Sequence, residues 1–275
     1  GQQMSEVKTT PEMAAADAEF LENIPPVGVS AEDAAKDKAF LEGRPTVRRQ
    51  RFIKRHGIQS RITHDVVVFT CVWLIISGLF VFVPPLTQWA GGDVVFFFRM
   101  SHRVIGVIFV AVPLISLILA PKGALHMVKN MLAKWDSDDK KWMCLFLPYL
   151  FMARWIHMPD QGELKSGQRF ADGVVLLCGI IMGISGVVLL LGETVFPLGG
   201  AHGVWLFIHD LGFFLCVVFI TAHFFLGSGL FQPYRGTGRL MFGDGYVSES
   251  DALYHWGHWA RKELEDGTNV VVKDK

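Results

Sequence analysis

The sequence predicts an all-α membrane protein, a bundle of four transmembrane helices with a soluble extension ahead of it. Three observations carry that prediction. Hydrophobic residues make up 51% of the 275 and charged residues only 19%, a balance too apolar for an ordinary soluble domain. Four apolar runs, at about 63–83, 95–119, 170–191 and 204–230, each reach the roughly 20 residues that a helix needs to cross a bilayer. Basic residues alternate between the flanking segments: seven at 44–61, one at 84–99, eight at 120–169, none at 192–203 and six at 232–275. By the positive-inside rule, this places both termini and the long central loop in the cytoplasm.

Residues 1–47 are acidic and rich in Ala, and they contain no apolar run long enough for the core of a signal peptide, so they read as a soluble extension. Within them Asp17, Phe20, Leu21, Glu22 and Pro25 recur as Asp37, Phe40, Leu41, Glu42 and Pro45. That period of 20 predicts two short amphipathic helices, each stopped near a proline, suited to docking on a partner subunit. Residues 48–232 form the transmembrane domain. Pro84 and Pro85 end its first helix and Pro121 follows the second, since a proline cannot continue the ladder of hydrogen bonds. The run 142–155 is too short to cross, and its Trp142 and Trp155 flanks beside Lys140 and Lys141 predict a helix lying at the membrane surface. Residues 233–275 read as a cytoplasmic tail.

The four cysteines, Cys71, Cys144, Cys178 and Cys216, include no C-x-x-C pair and no C-x-x-C-H, so they argue for packing and against zinc, covalent haem or an iron–sulfur cluster held by this chain. The net charge is zero, its signs are segregated along the chain, and no nucleic-acid partner is expected.

The histidines carry the chemistry. His209 and His223 stand fourteen residues apart within one apolar run, which on a helix puts both rings on one face, about 40° apart in angle and roughly 21 Å apart along the axis. Ionisable side chains at such depths are costly and usually have a task. Topology supplies partners at matching depths: His64 at the cytoplasmic start of the first helix with His223, and His102 at the outer start of the second helix with His209. Each pair is placed to clamp one iron between two imidazoles of a helix bundle, so two b-type haems between the helices are expected.

Haem also needs flat walls. Gly78 falls at the level of the outer pair, Gly106 and Gly212 fall one turn past His102 and His209, and Gly183 and Gly186 sit midway along the third helix. Arg99 and Arg103 outside, and Arg61 and Arg169 inside, are candidates for haem propionates or for surface anchors. His202 shares a face with His209 and is a candidate cover for the outer haem edge.

These motifs resemble the gamma subunit of the respiratory formate dehydrogenases, a di-haem cytochrome b anchor. The resemblance covers about residues 48–265 and rests on RFIKRHGIQSRITHD at 51–65, FFFRMSHRVIGVIF at 96–109, GELKSGQRF at 162–170, FIHDLGFFLCVVFITAHFFLGSG at 207–229 and HWGHWARKELE at 255–265. It implies that His102 and His209 bind the outer haem iron, and His64 and His223 the inner. It also implies a quinone site, for ubiquinone or menaquinone, beside His223 and the segment Lys165, Ser166, Gly167 and Gln168; Lys165 and Ser166 stand where the family carries Asn and Ala. The partners implied are a molybdenum or tungsten formate-oxidising alpha subunit and an iron–sulfur beta subunit, in an oligomeric complex on the bilayer. This chain would be the quinone-reducing electron-transfer subunit, with no formate-oxidising site of its own. A hydrogenase or thiosulfate-type reductase is the alternative partner. A non-haem metal enzyme is disfavoured because the histidines split between two depths and the helical carboxylates are few, namely Asp65, Asp172 and Asp210.

Overall fold

The computed structural model describes residues 49–152, 154–231 and 234–274; the extension at 1–47 with its repeat lies outside them. After strand β1 (Arg49–Lys54) come helices α1 (Ile58–Phe82), α2 (Pro84–Ala90), α3 (Gly92–Leu119), α4 (Pro121–Leu132), α5 (Ser137–Met152), α6 (Ser166–Thr194) and α7 (Ala201–Gly227). Helix α8 (Arg239–Phe242), strand β2 (Tyr246–Ser248), helices α9 (Glu249–His255) and α10 (Gly257–Asp266), and strand β3 (Val270–Asp274) complete the described chain.

Among the described residues four helices, α1, α3, α6 and α7, are long and apolar enough to cross a membrane. Each starts a turn or so before its apolar run, because Gln59, Ser60 and Arg61, or Gln168 and Arg169, are helical without being apolar. Hydropathy marks the part of a helix that suits lipid, not its ends. At the far end α7 stops at Gly227, short of the expected 230. The prolines act at two helices each time. Pro84 follows the Val83 cap of α1 and opens α2, while Pro121 follows Ala120 and opens α4; a first-turn position needs no N–H, so proline fits there. Neither short helix is announced by hydropathy, since the apolar runs end before Pro84 and Pro121.

The four long helices are inverted relative to a soluble bundle. Large apolar side chains such as Phe69, Ile118, Phe207 and Val218 face outward, whereas Thr70, Ser77, Cys178, Ser185, Gly212 and Cys216 are buried. Between lipid-bathed helices no hydrophobic force favours large residues inside, and small ones allow close approach. Thr70, Ser77 and Ser185 donate their hydroxyl protons to carbonyls one turn back, at 2.7, 2.8 and 2.7 Å, so their burial leaves no donor unsatisfied. The main packing pairs are α1 with α3 and α6 with α7, with a lesser contact between α3 and α6.

Helix α5 begins earlier than the expected 142 because Asp136 and Asp139 cap it reciprocally: the Asp139 N–H donates to Asp136 at 2.8 Å and the Asp136 N–H to Asp139 at 3.0 Å. Trp142 and Tyr149 are its buried aromatics.

The described chain divides into two compact units, one of His56–Pro159 with Leu164–Gly245, the other of 49–55, Asp160–Glu163 and the residues from Tyr246 on. From Tyr246 on, the segment expected as a tail is folded into the second unit. Strand β1 is the centre of an antiparallel sheet ordered β2-β1-β3, with Ile53 opposite both Val247 and Val270. Ile53, Phe52, Val247, Ala252, Trp256, Trp259, Ala260 and Leu264 form its core. The Arg55 guanidinium lies 4.0 Å from the Trp256 ring centre and 4.8 Å from that of Trp259, and Arg261 pairs with Asp160. The pairing partners of β1 lie some 200 residues away in sequence, beyond the reach of any local pattern.

Candidate functional site

Helix α7 carries His209 and His223 on one face, and each of these two meets a histidine from another helix. His209 faces His102 of α3 with ring centres 6.3 Å apart. His223 faces His64 of α1 with ring centres 6.4 Å apart. A metal held between two imidazole nitrogens at about 2.0–2.1 Å from each leaves the ring centres roughly 6 Å apart. The two pairs therefore share a spacing that matches a metal bridged by imidazoles, and each is too wide for direct hydrogen bonding.

The opposite nitrogen of three of these rings is held. Nδ1 of His102 lies 2.9 Å from Ser77 Oγ on α1, and Nδ1 of His209 lies 2.8 Å from Ser185 Oγ on α6. Both hydroxyls give their own protons to backbone carbonyls of Trp73 and Ile181, so each is left to accept from the imidazole N–H. That fixes the proton on Nδ1 and leaves the Nε2 lone pair for a metal, the usual arrangement around a ligating histidine. Nδ1 of His223 is 2.8 Å from a carboxylate oxygen of Asp172 on α6. His64 differs: its Nδ1 stands 3.6 Å from Asp65 Oδ1, and neither atom has a hydrogen-bond partner among the described residues. Phe242 packs edge-on against His64 with ring centres 5.6 Å apart.

Glycine opens the space beside the first pair. A Cβ on Gly78 would lie 3.4 Å from His102 Cε1, and one on Gly186 would lie 3.4 Å from His209 Cε1. Gly106, Gly183 and Gly212 instead face Leu74, Val110 and Met182 of neighbouring helices, so their work is helix packing.

The serine and glycine partners form a repeat that a search for histidines alone passes over. Ile76-Ser77-Gly78 in α1 recurs as Ile184-Ser185-Gly186 in α6, each opposite a histidine of the next long helix. The repeated triplet was the available signal for Ser77 and Ser185, and Asp172 was visible as one of the few helical carboxylates.

Three of the four expected arginines, Arg61, Arg103 and Arg169, make contacts within the protein. Arg169 is buried and donates to Asp139 at 3.2 Å, to the Met131 carbonyl at 3.3 Å and to the Ala133 carbonyl, so it ties α6 to the α4–α5 junction. Arg61 donates to the Gly243 carbonyl next to α8, and Arg103 pairs with Glu193 at the end of α6. Arg99 lines a cavity of about 580 Å³ with Thr87, Gln88, Gly91, Gly92, Val95 and Phe96. His202 is exposed at the first turn of α7. The segment expected to lie beside a quinone is also tied down. Ser166 donates to Asp139 at 2.7 Å, Lys165 Nζ lies 4.3 Å from the Tyr234 ring centre, and Gly167 sits beneath the Trp142 ring, where a Cβ would collide. Gln168 is half-buried.

A family model described as prokaryotic cytochrome b561 matches residues 55–243, a span that takes in all four long helices and both histidine pairs. The chain belongs to the prokaryotic cytochrome b561 family. It is a multi-pass protein of the inner membrane and an electron-transfer protein of the b-type haem class. No curated protein matches the chain. The residues present fit the group the family implies: imidazoles at metal-bridging separation, tautomers set by Ser77 and Ser185, and glycine beside the ligand rings at Gly78 and Gly186. Among the described residues there is no group of three or more His, Cys, Asp or Glu that could hold a metal ion.

Proposed function

We propose that this cytochrome b561-family chain holds two b-type haems, one between His102 and His209 and one between His64 and His223, and serves as the quinone-reducing membrane subunit of a formate dehydrogenase. The observation that carries the reading is the common separation of the two pairs, 6.3 and 6.4 Å between ring centres, on helices that share α7. When bound, each haem supplies one-electron transfer between ferrous and ferric iron. The chain supplies the ligands and their orientation through Ser77, Ser185 and Asp172. The fourteen residues from His209 to His223 set the two levels roughly 21 Å apart along α7, which spans most of a bilayer core.

The basic-residue pattern supports an orientation with both termini in the cytoplasm, His102 and His209 toward the outside and His64 and His223 toward the inside. In this reading an iron–sulfur beta subunit, fed by a molybdenum or tungsten alpha subunit, meets the His102–His209 end, and membrane quinone binds near His223 and the start of α6. Within that segment Ser166 and Gly167 serve packing, Lys165 lies over Tyr234, and Gln168 remains as the side chain to contact a quinone oxygen. Charge moved inward along this route does electrical work of about 2.3 kcal/mol per 100 mV for each electron.

Purification of the complex from its native membrane, with formate, hydrogen and thiosulfate assayed in parallel against a soluble quinone analogue, tests the partner. Quinone-linked formate oxidation supports the assignment; activity with hydrogen or thiosulfate alone transfers this subunit to another oxidoreductase while leaving the haem reading intact. His209→Ala tests the pairing separately: the signal of one haem is lost and that of the other kept, with His102→Ala giving the same spectrum.

A further inference from the structure

The two histidine pairs have the same spacing but different surroundings. At the His102–His209 level both Nδ1 atoms meet neutral hydroxyls, Ser77 and Ser185. At the other level His223 Nδ1 meets a carboxylate oxygen of Asp172 at 2.8 Å, and Asp65 stands 3.6 Å from His64. The repeat explains how that carboxylate came to its place. Asp172 precedes Ser185 by thirteen residues, as His64 precedes Ser77, while His223 follows His209 by fourteen, as Ser116 follows His102. The hairpin of α1 and α3 thus supplies His64 and Ser116 at this level, and the hairpin of α6 and α7 supplies Asp172 and His223. Ser116 bonds Thr63 Oγ1 at 2.9 Å and no imidazole. Asp172 therefore occupies, in its own hairpin, the position of a ligand, and it is turned onto the imidazole of the neighbouring helix.

We infer that Asp172 is a positioning and tuning residue for the haem between His64 and His223: its carboxylate orients His223 and makes that haem the stronger reductant. The inference rests on the haem reading above and adds to it the control of potential. A carboxylate that accepts the Nδ1 proton strengthens the imidazole as a donor, and a stronger donor with a nearby negative charge favours ferric over ferrous iron. The low midpoint potential that results suits a haem that gives its electron to quinone. The hydroxyls of the other level orient their histidines without that charge.

The experiment is an optical redox titration of the full-length chain, purified with its haem in lipid nanodiscs, as wild type and as Asp172→Asn and Asp172→Glu, each also in a His209→Ala background that isolates the haem of the His64–His223 level. Asp172→Asn raises the midpoint of that haem, increasing its ferrous-to-ferric ratio at fixed potential about tenfold, equivalent to 59 mV for one electron. The other haem does not move, and Asp172→Glu restores a wild-type midpoint. An unchanged midpoint in Asp172→Asn, equal shifts in the Asn and Glu variants, movement of both haems together, or loss of the haem in both variants overturns the tuning role. A wild-type chain without haem defeats the parent reading instead, so the two failures are distinguishable.

Discussion

Ser185 Oγ on α6 lies 2.8 Å from Nδ1 of His209 on α7, while the Ser185 hydroxyl proton goes to the Ile181 carbonyl at 2.7 Å. The serine is thereby a pure acceptor toward the imidazole, and one buried hydroxyl sets both the tautomer and the rotation of a ring on the next helix. Removing such a partner of a metal-bound histidine typically costs about 10- to 100-fold in affinity for the metal group. Ser185→Ala is expected to weaken haem retention at the His102–His209 level by about that factor and to leave the other level unchanged. Haem titration into the stripped protein, followed by absorbance, reads both levels.

Gly78 and Gly186 flank the same level, each with room for a Cβ at 3.4 Å from a ligand ring carbon. Alanine meets only ordinary van der Waals contact there and should be accepted. Leucine at either position places further atoms against the ring that must face the iron, so Gly78→Leu and Gly186→Leu are expected to lose that haem while Gly78→Ala and Gly186→Ala keep it. The absorbance of each variant, with the His64–His223 haem as the internal standard, decides the matter.

Gly167 is covered by Trp142 of α5, and a Cβ there would overlap the indole. Gly167→Ala must displace an aromatic that is buried and stacked on Phe146 at 4.9 Å. The expected loss is about 1–3 kcal/mol, the usual cost of overpacking, seen as a lower melting temperature in detergent. A substitution to alanine at the open position Gly173, which meets nothing within 4 Å, should leave the melting temperature in place.

Asp139 holds two groups of α6 at once, accepting from Ser166 at 2.7 Å and from Arg169 at 3.2 Å. All three residues are buried. Asp139→Ala leaves the Arg169 charge without its carboxylate and is expected to cost about 3–5 kcal/mol, as for other broken buried pairs. Asp139→Asn, which keeps an acceptor and loses the charge, should fall between. Thermal unfolding of the three proteins checks the order, and an Asp139→Ala protein as stable as wild type would remove the latch from the account.

The bundle was readable because hydropathy, loop charge and proline position all report on the same bilayer. The two histidine pairs were readable because depth along a helix follows from residue number alone. What the linear pattern could not provide was rotation. Whether Arg169 faces a haem edge or the α4–α5 junction depends on which side of α6 meets Asp139, and composition is silent on that. The same limit hid the hydroxyls of Ser77 and Ser185, although the repeated Ile-Ser-Gly triplet recorded their common role. The small sheet escaped for another reason. Arg49–Lys54 and Val270–Asp274 are short strands whose partners lie at opposite ends of the chain, and neither alternates strongly enough to announce a strand by itself.

The central claim is that His102 with His209, and His64 with His223, are two haem sites and not two buried polar contacts. A pyridine haemochrome assay on the purified full-length chain, normalised to protein by amino-acid analysis, tests it most directly. Two haems b per chain, falling to one in His209→Ala, is the predicted result; no haem in the wild-type protein, or a single haem that survives His209→Ala and is lost with no histidine of either pair, would contradict it.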